Sequence, residues 1–135
     1  MLRPGSPAPD GATPGILVFF KVTCPTCVLA APKIQALADG GATVRAVGQD
    51  PPDRLREFAT RHGLSVPIES DSPPYPQSEA FGVEHVPTLF LVDGEGRVAD
   101  VAAGWDREGW NRLAVAAGGE AVSIEGDGLP PFRPG

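Results

Sequence analysis

The chain has 135 residues, 41% hydrophobic and 21% charged, a balance that excludes disordered and fibrous classes and suffices for one domain with a real core. Its formal net charge is −6 and its Lys and Arg residues are nowhere clustered, which argues against nucleic acid or a membrane surface as partner. No stretch approaches the roughly 18 apolar residues of a membrane helix, and residues 1–15 lack the apolar core of a secretory leader. The expected address is therefore the cytoplasm, or the periplasm or another extracytoplasmic space if a leader has been removed.

Residues 1–15 read as an N-terminal extension, 16–117 as the core of a single domain and 118–135 as a Pro/Gly-rich tail. Ile16 to Phe20 is a continuous apolar run, the pattern of a strand buried on both faces of a sheet. From Pro25 to about Ala38 the spacing of Val28, Ala31, Ile34 or Gln35, and Ala38 predicts a helix, stopped at Gly40-Gly41. Thr43 to Val47 reads as a second strand, and Pro52 to His62 as a helix with Leu55, Phe58 and Ala59 on one face. The alternation predicts an α/β fold around a central, partly parallel sheet.

Val66 to Ile68 is expected to form a short strand, followed by a Pro-rich loop and a helical turn over Ser78 to Phe81. Thr88 to Val92 and Arg97 to Ala102 flank Asp93-Gly94-Glu95-Gly96 as a hairpin would. Asp106 to Ala117 closes as a helix with Asp106 as its N-cap. The remainder is expected to be a partly extended tail with at most a short strand around Val122 to Ile124.

The chemistry lies in the two cysteines, which are too close to staple distant segments and so look like working residues. On this layout Cys24 falls at a helix N-cap and Pro25 at the first helical position, where a missing N–H costs nothing. Unpaired N–H groups and the helix dipole would stabilise a Cys24 thiolate as nucleophile. Cys27, three residues on and on the same face, would resolve the mixed disulfide formed on Cys24. Other readings are an incidental cysteine pair in a partner-binding domain, or half of a tetrahedral zinc site with His62 and His85 as the imidazoles to complete it.

Three stretches together resemble the thioredoxin superfamily, and within it the redoxin branch of TlpA/ResA-like thiol-disulfide oxidoreductases related to AhpC/TSA. They are Phe19-Phe20 with Cys24-Pro25-Thr26-Cys27 and Pro32; Ala80-Phe81-Gly82-Val83; and Val86-Pro87-Thr88-Leu89-Phe90-Leu91-Val92-Asp93 with Gly96. The resemblance spans about Ile16 to Gly104. It implies a thioredoxin-like three-layer fold, helices on both faces of a mixed sheet, and dithiol-disulfide exchange at Cys24 and Cys27. Pro25, Thr26, Val86, Pro87 and Thr88 would form the substrate platform, with Pro87 as the family's cis-proline and Val86 offering its backbone to an extended substrate.

No bound cofactor or metal is implied. The partners would be a protein or small-molecule thiol or disulfide and a thiol reductant, with the protein acting as a monomer. The uncharged Thr26 between the cysteines leans toward the reductant direction.

Two positions depart from the family pattern. Val18 stands where thioredoxins often carry a buried Asp, so the proton acceptor for Cys27 is missing, and Lys21, Glu69 or a water are the candidates to replace it. Thr23 stands where many relatives carry Trp, leaving Tyr75, Phe81 or Trp105 to supply an apolar contact; Trp105 and Trp110 could equally anchor the last helix. The resemblance also admits a peroxiredoxin-like thiol peroxidase, although Lys21 replaces the Thr or Ser expected three before a peroxidatic cysteine. A copper-binding protein of the same fold using Cys24, Cys27 and His85 is a further alternative.

Overall fold

The computed structural model describes residues 1–135. In chain order its elements are β1 (Gly15–Phe20), α1 (Pro25–Asp39), β2 (Val44–Gly48), α2 (Pro52–His62), β3 (Ile68–Ser70), α3 (Pro76–Phe81), β4 (Thr88–Val92), β5 (Val98–Ala103), β6 (Trp105–Asp106), α4 (Arg107–Ala116) and β7 (Phe132–Arg133).

Five strands form one sheet in the order β3-β2-β1-β4-β5, with β1, β2 and β3 parallel and β4 and β5 antiparallel to their neighbours. Because successive strand residues face opposite sides, β1 divides its apolar run between two cores. Ile16, Val18 and Phe20 pack with residues of α1, α2 and α4 on one face, including Ile34, Leu37, Leu55, Phe58 and Leu113. Leu17 and Phe19 pack with Val47, Phe81, Phe90 and Val98 on the other, where Phe19, Phe81 and Phe90 form a triad with ring centroids 4.9–5.7 Å apart. This is the expected α/β architecture of thioredoxin-like type, with three helices on one face of the sheet and α3 on the other. No helix is long and apolar enough to cross a membrane.

Local chemistry sets the element ends. α1 runs through Pro32, which lies on the exposed side of the helix. α2 stops where Gly63 takes a left-handed conformation (φ 67°) that other residues disfavour. The Pro-rich loop before α3 is ordered by buried Asp71, whose carboxylate accepts the Gln77 N–H, the Ser78 N–H and the Ser78 hydroxyl at 2.7–2.9 Å.

Two expectations need correction, on the third strand and on residues 122–124. The third strand is Ile68–Ser70 rather than Val66–Ile68, because it pairs in register with Ala46, Val47 and Gly48 of β2. Asp106 does stand at the N-cap of α4 as expected, although its side chain makes no cap bond. Residues 122–124 form no strand; the tail's strand is β7, antiparallel to β6. The tail is also tied down along its length: Asn111 binds Val122 and Ser123, while Asp127 pairs with Lys33 at 3.0 Å and Arg107 at 3.3 Å. The N-terminal residues are likewise docked, with Leu2 bonded to Phe81, and Gly5 and Ser6 to Val98.

Candidate active site

The site forms where β1 runs into α1, beside the start of β4. Cys24 is the N-cap of α1, in extended conformation, and its sulfur accepts the Cys27 N–H at 3.2 Å. Pro25 follows at the first helical position, exposed to solvent. Both cysteines are free thiols, Cys24 half-buried and Cys27 buried in the α1 core. The Cys24 thiol donates to the Val86 carbonyl oxygen at 3.3 Å, so the motif and the 86–88 loop meet across 62 residues of sequence. The Val86–Pro87 peptide bond is cis. Pro87 is buried, and Thr88 closes the loop by donating its hydroxyl to the His85 carbonyl at 2.7 Å.

Burial pushes the Cys27 thiol well above the ordinary cysteine range, reinforced by the bond to Cys24 and by the negative charge of Asp50, against a smaller opposing contribution from the Lys21 backbone. Cys27 is accordingly a neutral thiol at physiological pH, and any reaction through its thiolate requires an acceptor for its proton.

Of the acceptors considered from sequence, Glu69 is exposed and engaged with Arg45 at 3.2 Å and Gln77 at 2.9 Å. The Lys21 ammonium is a donor, bonded to the Gln49 carbonyl at 3.2 Å and 3.9 Å from Asp50. The acid that faces this site is Asp50, only 7% exposed, which accepts the Val22 N–H at 2.9 Å. Sequence reading missed it. The available signal was the parallel pairing of β1 with β2, which sets Phe20 opposite Gly48 and so brings the residue two past β2 to the turn that leads into the cysteines.

Among the apolar contacts expected to replace the missing Trp, Phe81 lies in the core on the opposite face of the sheet. Trp105 is fully buried, stacked edge-on with Trp110 at 4.9 Å, and anchors α4 and the tail. Tyr75 is half-buried, with its ring 5.8 Å from the ammonium of Lys21, three residues before Cys24.

The metal alternatives find no ligand set: no group of three His, Cys, Asp or Glu is placed to hold an ion. His85 is exposed, and His62 packs on Phe58 in the last turn of α2.

The family model described as AhpC/TSA matches residues 8–101, and the chain belongs to that family. Among curated proteins, the thiol-disulfide oxidoreductase ResA of Halalkalibacterium halodurans is 29% identical over 93 residues, 65% of this chain; the chain spans about half, 52%, of that protein. A crystal structure of a putative thiol:disulfide interchange protein DsbE from Chlorobium tepidum superposes with a TM-score of 0.70 at 25% identity, covering 87% of this chain and 98% of that one. A thio-disulfide isomerase from Thermus thermophilus superposes with a TM-score of 0.67 at 25% identity, covering 88% and 99%.

Proposed function

We propose that the protein is a thiol-disulfide oxidoreductase in which Cys24 attacks and Cys27 resolves. The observation that carries the proposal is the pairing of a half-exposed and a buried cysteine at the entry of α1, facing the Val86–Pro87 loop. In the reductive direction the Cys24 thiolate attacks one sulfur of a substrate disulfide, forming a mixed disulfide and expelling the other sulfur as a thiolate. The Cys27 N–H is in place to donate to the Cys24 sulfur while it bears charge. Cys27 then gives up its proton, and its thiolate attacks the Cys24 sulfur and releases the second substrate thiol. Two electrons pass to the substrate, and the protein is left with a Cys24–Cys27 disulfide.

We assign Asp50 as the acceptor of the Cys27 proton, directly or through water, because it is the buried carboxylate whose charge acts on that thiol. Lys21 beside it balances its charge. Val86 and Pro87 are the substrate platform, and Pro25 and Thr26 the opposing wall; Thr88 supports the platform by fixing the loop. A dithiol reductant regenerates Cys24 and Cys27, and the protein works as a monomer. Protein disulfides form and persist outside the reducing cytoplasm, which favours an extracytoplasmic address over the cytoplasmic one if they are the physiological substrates.

The peroxidase alternative is disfavoured because the side chain three before Cys24 is the Lys21 ammonium, held by Gln49 and Asp50 rather than free to orient a peroxide. Dithiothreitol-driven reduction of glutathione disulfide tests the proposal. It is expected to be accelerated by the wild type and to stay at background with Cys24→Ser; equal rates for the two would overturn it.

A further inference from the structure

The last residues of the sequence lie across the mouth of this site. β7 pairs with β6, which carries the chain past Gly104, and the Pro134 carbonyl then accepts the Thr26 hydroxyl at 2.8 Å. Thr26, between the two cysteines, is only 4% exposed, whereas its neighbour Pro25 is open to solvent. Gly135 packs so closely on the backbone of Val86 that a methyl group there would overlap the Val86 carbonyl. On the other side, a methyl group on Gly104, whose φ is +73°, would come within 2.9 Å of the Arg133 carbonyl. Two glycines thus permit a close approach of backbone to backbone along the platform that an extended substrate would use.

The tail divides into a fixed part and a lightly held part. Up to Pro131 it is fastened: Asp127 to Lys33, Arg107 and Ser123, the Leu129 carbonyl to Arg107, the Pro130 carbonyl to the Trp105 indole N–H, and the Pro131 carbonyl to the Arg107 backbone N–H. Beyond it, Phe132 to Gly135 are exposed on their outer side and held by two residues of strand pairing and the single Thr26 bond. A segment with so few buried contacts opens locally at small free-energy cost, without disturbing the anchored residues before it.

We infer that Phe132–Gly135 is a selectivity element: it occupies the groove in which a protein substrate would lie, so the resting protein exchanges with small disulfides and engages protein disulfides only when this segment lifts. The inference rests on the exchange chemistry proposed above. Cys24 remains half-exposed beneath the segment, which leaves a path for a small disulfide. If the groove is free about a tenth of the time or less, apparent affinity for a protein substrate is lowered about tenfold or more.

The test compares the full chain with a variant ending at Pro131 and with full-length Gly135→Val, which lifts the segment without shortening it. kcat/KM is measured for insulin and for glutathione disulfide, with thermal unfolding as the check on folding. Both variants are expected to gain about tenfold or more on insulin while changing less than about twofold on glutathione disulfide. An unchanged ratio between the two substrates would overturn the selectivity role. Turnover of glutathione disulfide by the full chain no faster than by Cys24→Ser would instead remove the exchange reading itself.

Discussion

The Asp50 carboxylate accepts the backbone N–H of Val22 at 2.9 Å, tying the loop after β2 to the turn that delivers the cysteines. The bond fixes a negative charge that bears on the buried Cys27 thiol and helps to hold its proton. It also leaves the second carboxylate oxygen 3.9 Å from the Lys21 ammonium.

Asp50→Asn keeps the shape and removes the charge. The resolving step at neutral pH is expected to slow by about 100-fold, the lower end of what a positioned general base contributes. The Cys27 pKa should fall in the same variant, because the Asp50 charge raises it. Stopped-flow kinetics of mixed-disulfide decay and thiol titration by ultraviolet absorbance read the two effects separately. A purely structural role for Asp50 would not lower that pKa.

The reduced protein is expected to lose stability at alkaline pH. Cys27 holds its proton in the folded state beyond the pH at which it ionises in the unfolded chain, so its contribution is complete below about pH 8.5 and declines above it. The slope is about 1.4 kcal/mol per pH unit while the folded thiol stays protonated. Denaturant unfolding from pH 7 to 10 checks this, and Cys27→Ser should flatten the curve. The disulfide form, which has no thiol to titrate, should be flat as well.

Acid should loosen the tail through Asp127. The Ser123 hydroxyl, the Leu129 N–H and Lys33 hold its carboxyl well below the usual carboxylate range. A lowered folded pKa means that this stabilisation is present above the unfolded value of about 3.9 and is lost as pH falls through the folded one. Unfolding profiles between pH 5 and 2 should therefore fall more steeply for wild type than for Asp127→Asn.

Trp110 is fully buried, packs against Trp105 and donates its indole N–H to the Gly104 carbonyl at 3.0 Å. Trp110→Ala is expected to cost about 3–5 kcal/mol through the cavity left behind. Trp110→Phe keeps much of the packing but leaves the Gly104 carbonyl without this donor, at about 1–3 kcal/mol. Chemical denaturation distinguishes the two values.

How much of this is legible in the sequence depends on the range of the interaction that decides it. β1 and α1 can be read because a both-faces-buried strand is a local apolar run and an N-cap cysteine followed by proline is a local helix start. The 86–92 stretch could be placed from its motif, and its contact with Cys24 follows from the antiparallel pairing of β1 with β4. Asp50 was hidden because its role comes from strand register, and nothing in Gln49-Asp50-Pro51 marks it locally. The tail was hidden for a related reason. Its prolines and glycines carry no periodicity, and its order comes from Arg107, Asn111 and Lys33, which lie elsewhere in the sequence. Trp105 shows the converse: an aromatic beside the site that serves the core.

The central claim is that Cys24 attacks and Cys27 resolves, and intact-mass analysis after a single turnover with glutathione disulfide tests it most directly. Reduced wild type should end as the internal Cys24–Cys27 disulfide with no adduct, Cys27→Ser should retain one glutathione, and Cys24→Ser should stay largely unreacted. Rapid adduct formation on Cys24→Ser, or a wild-type adduct that persists without closing, would contradict the account.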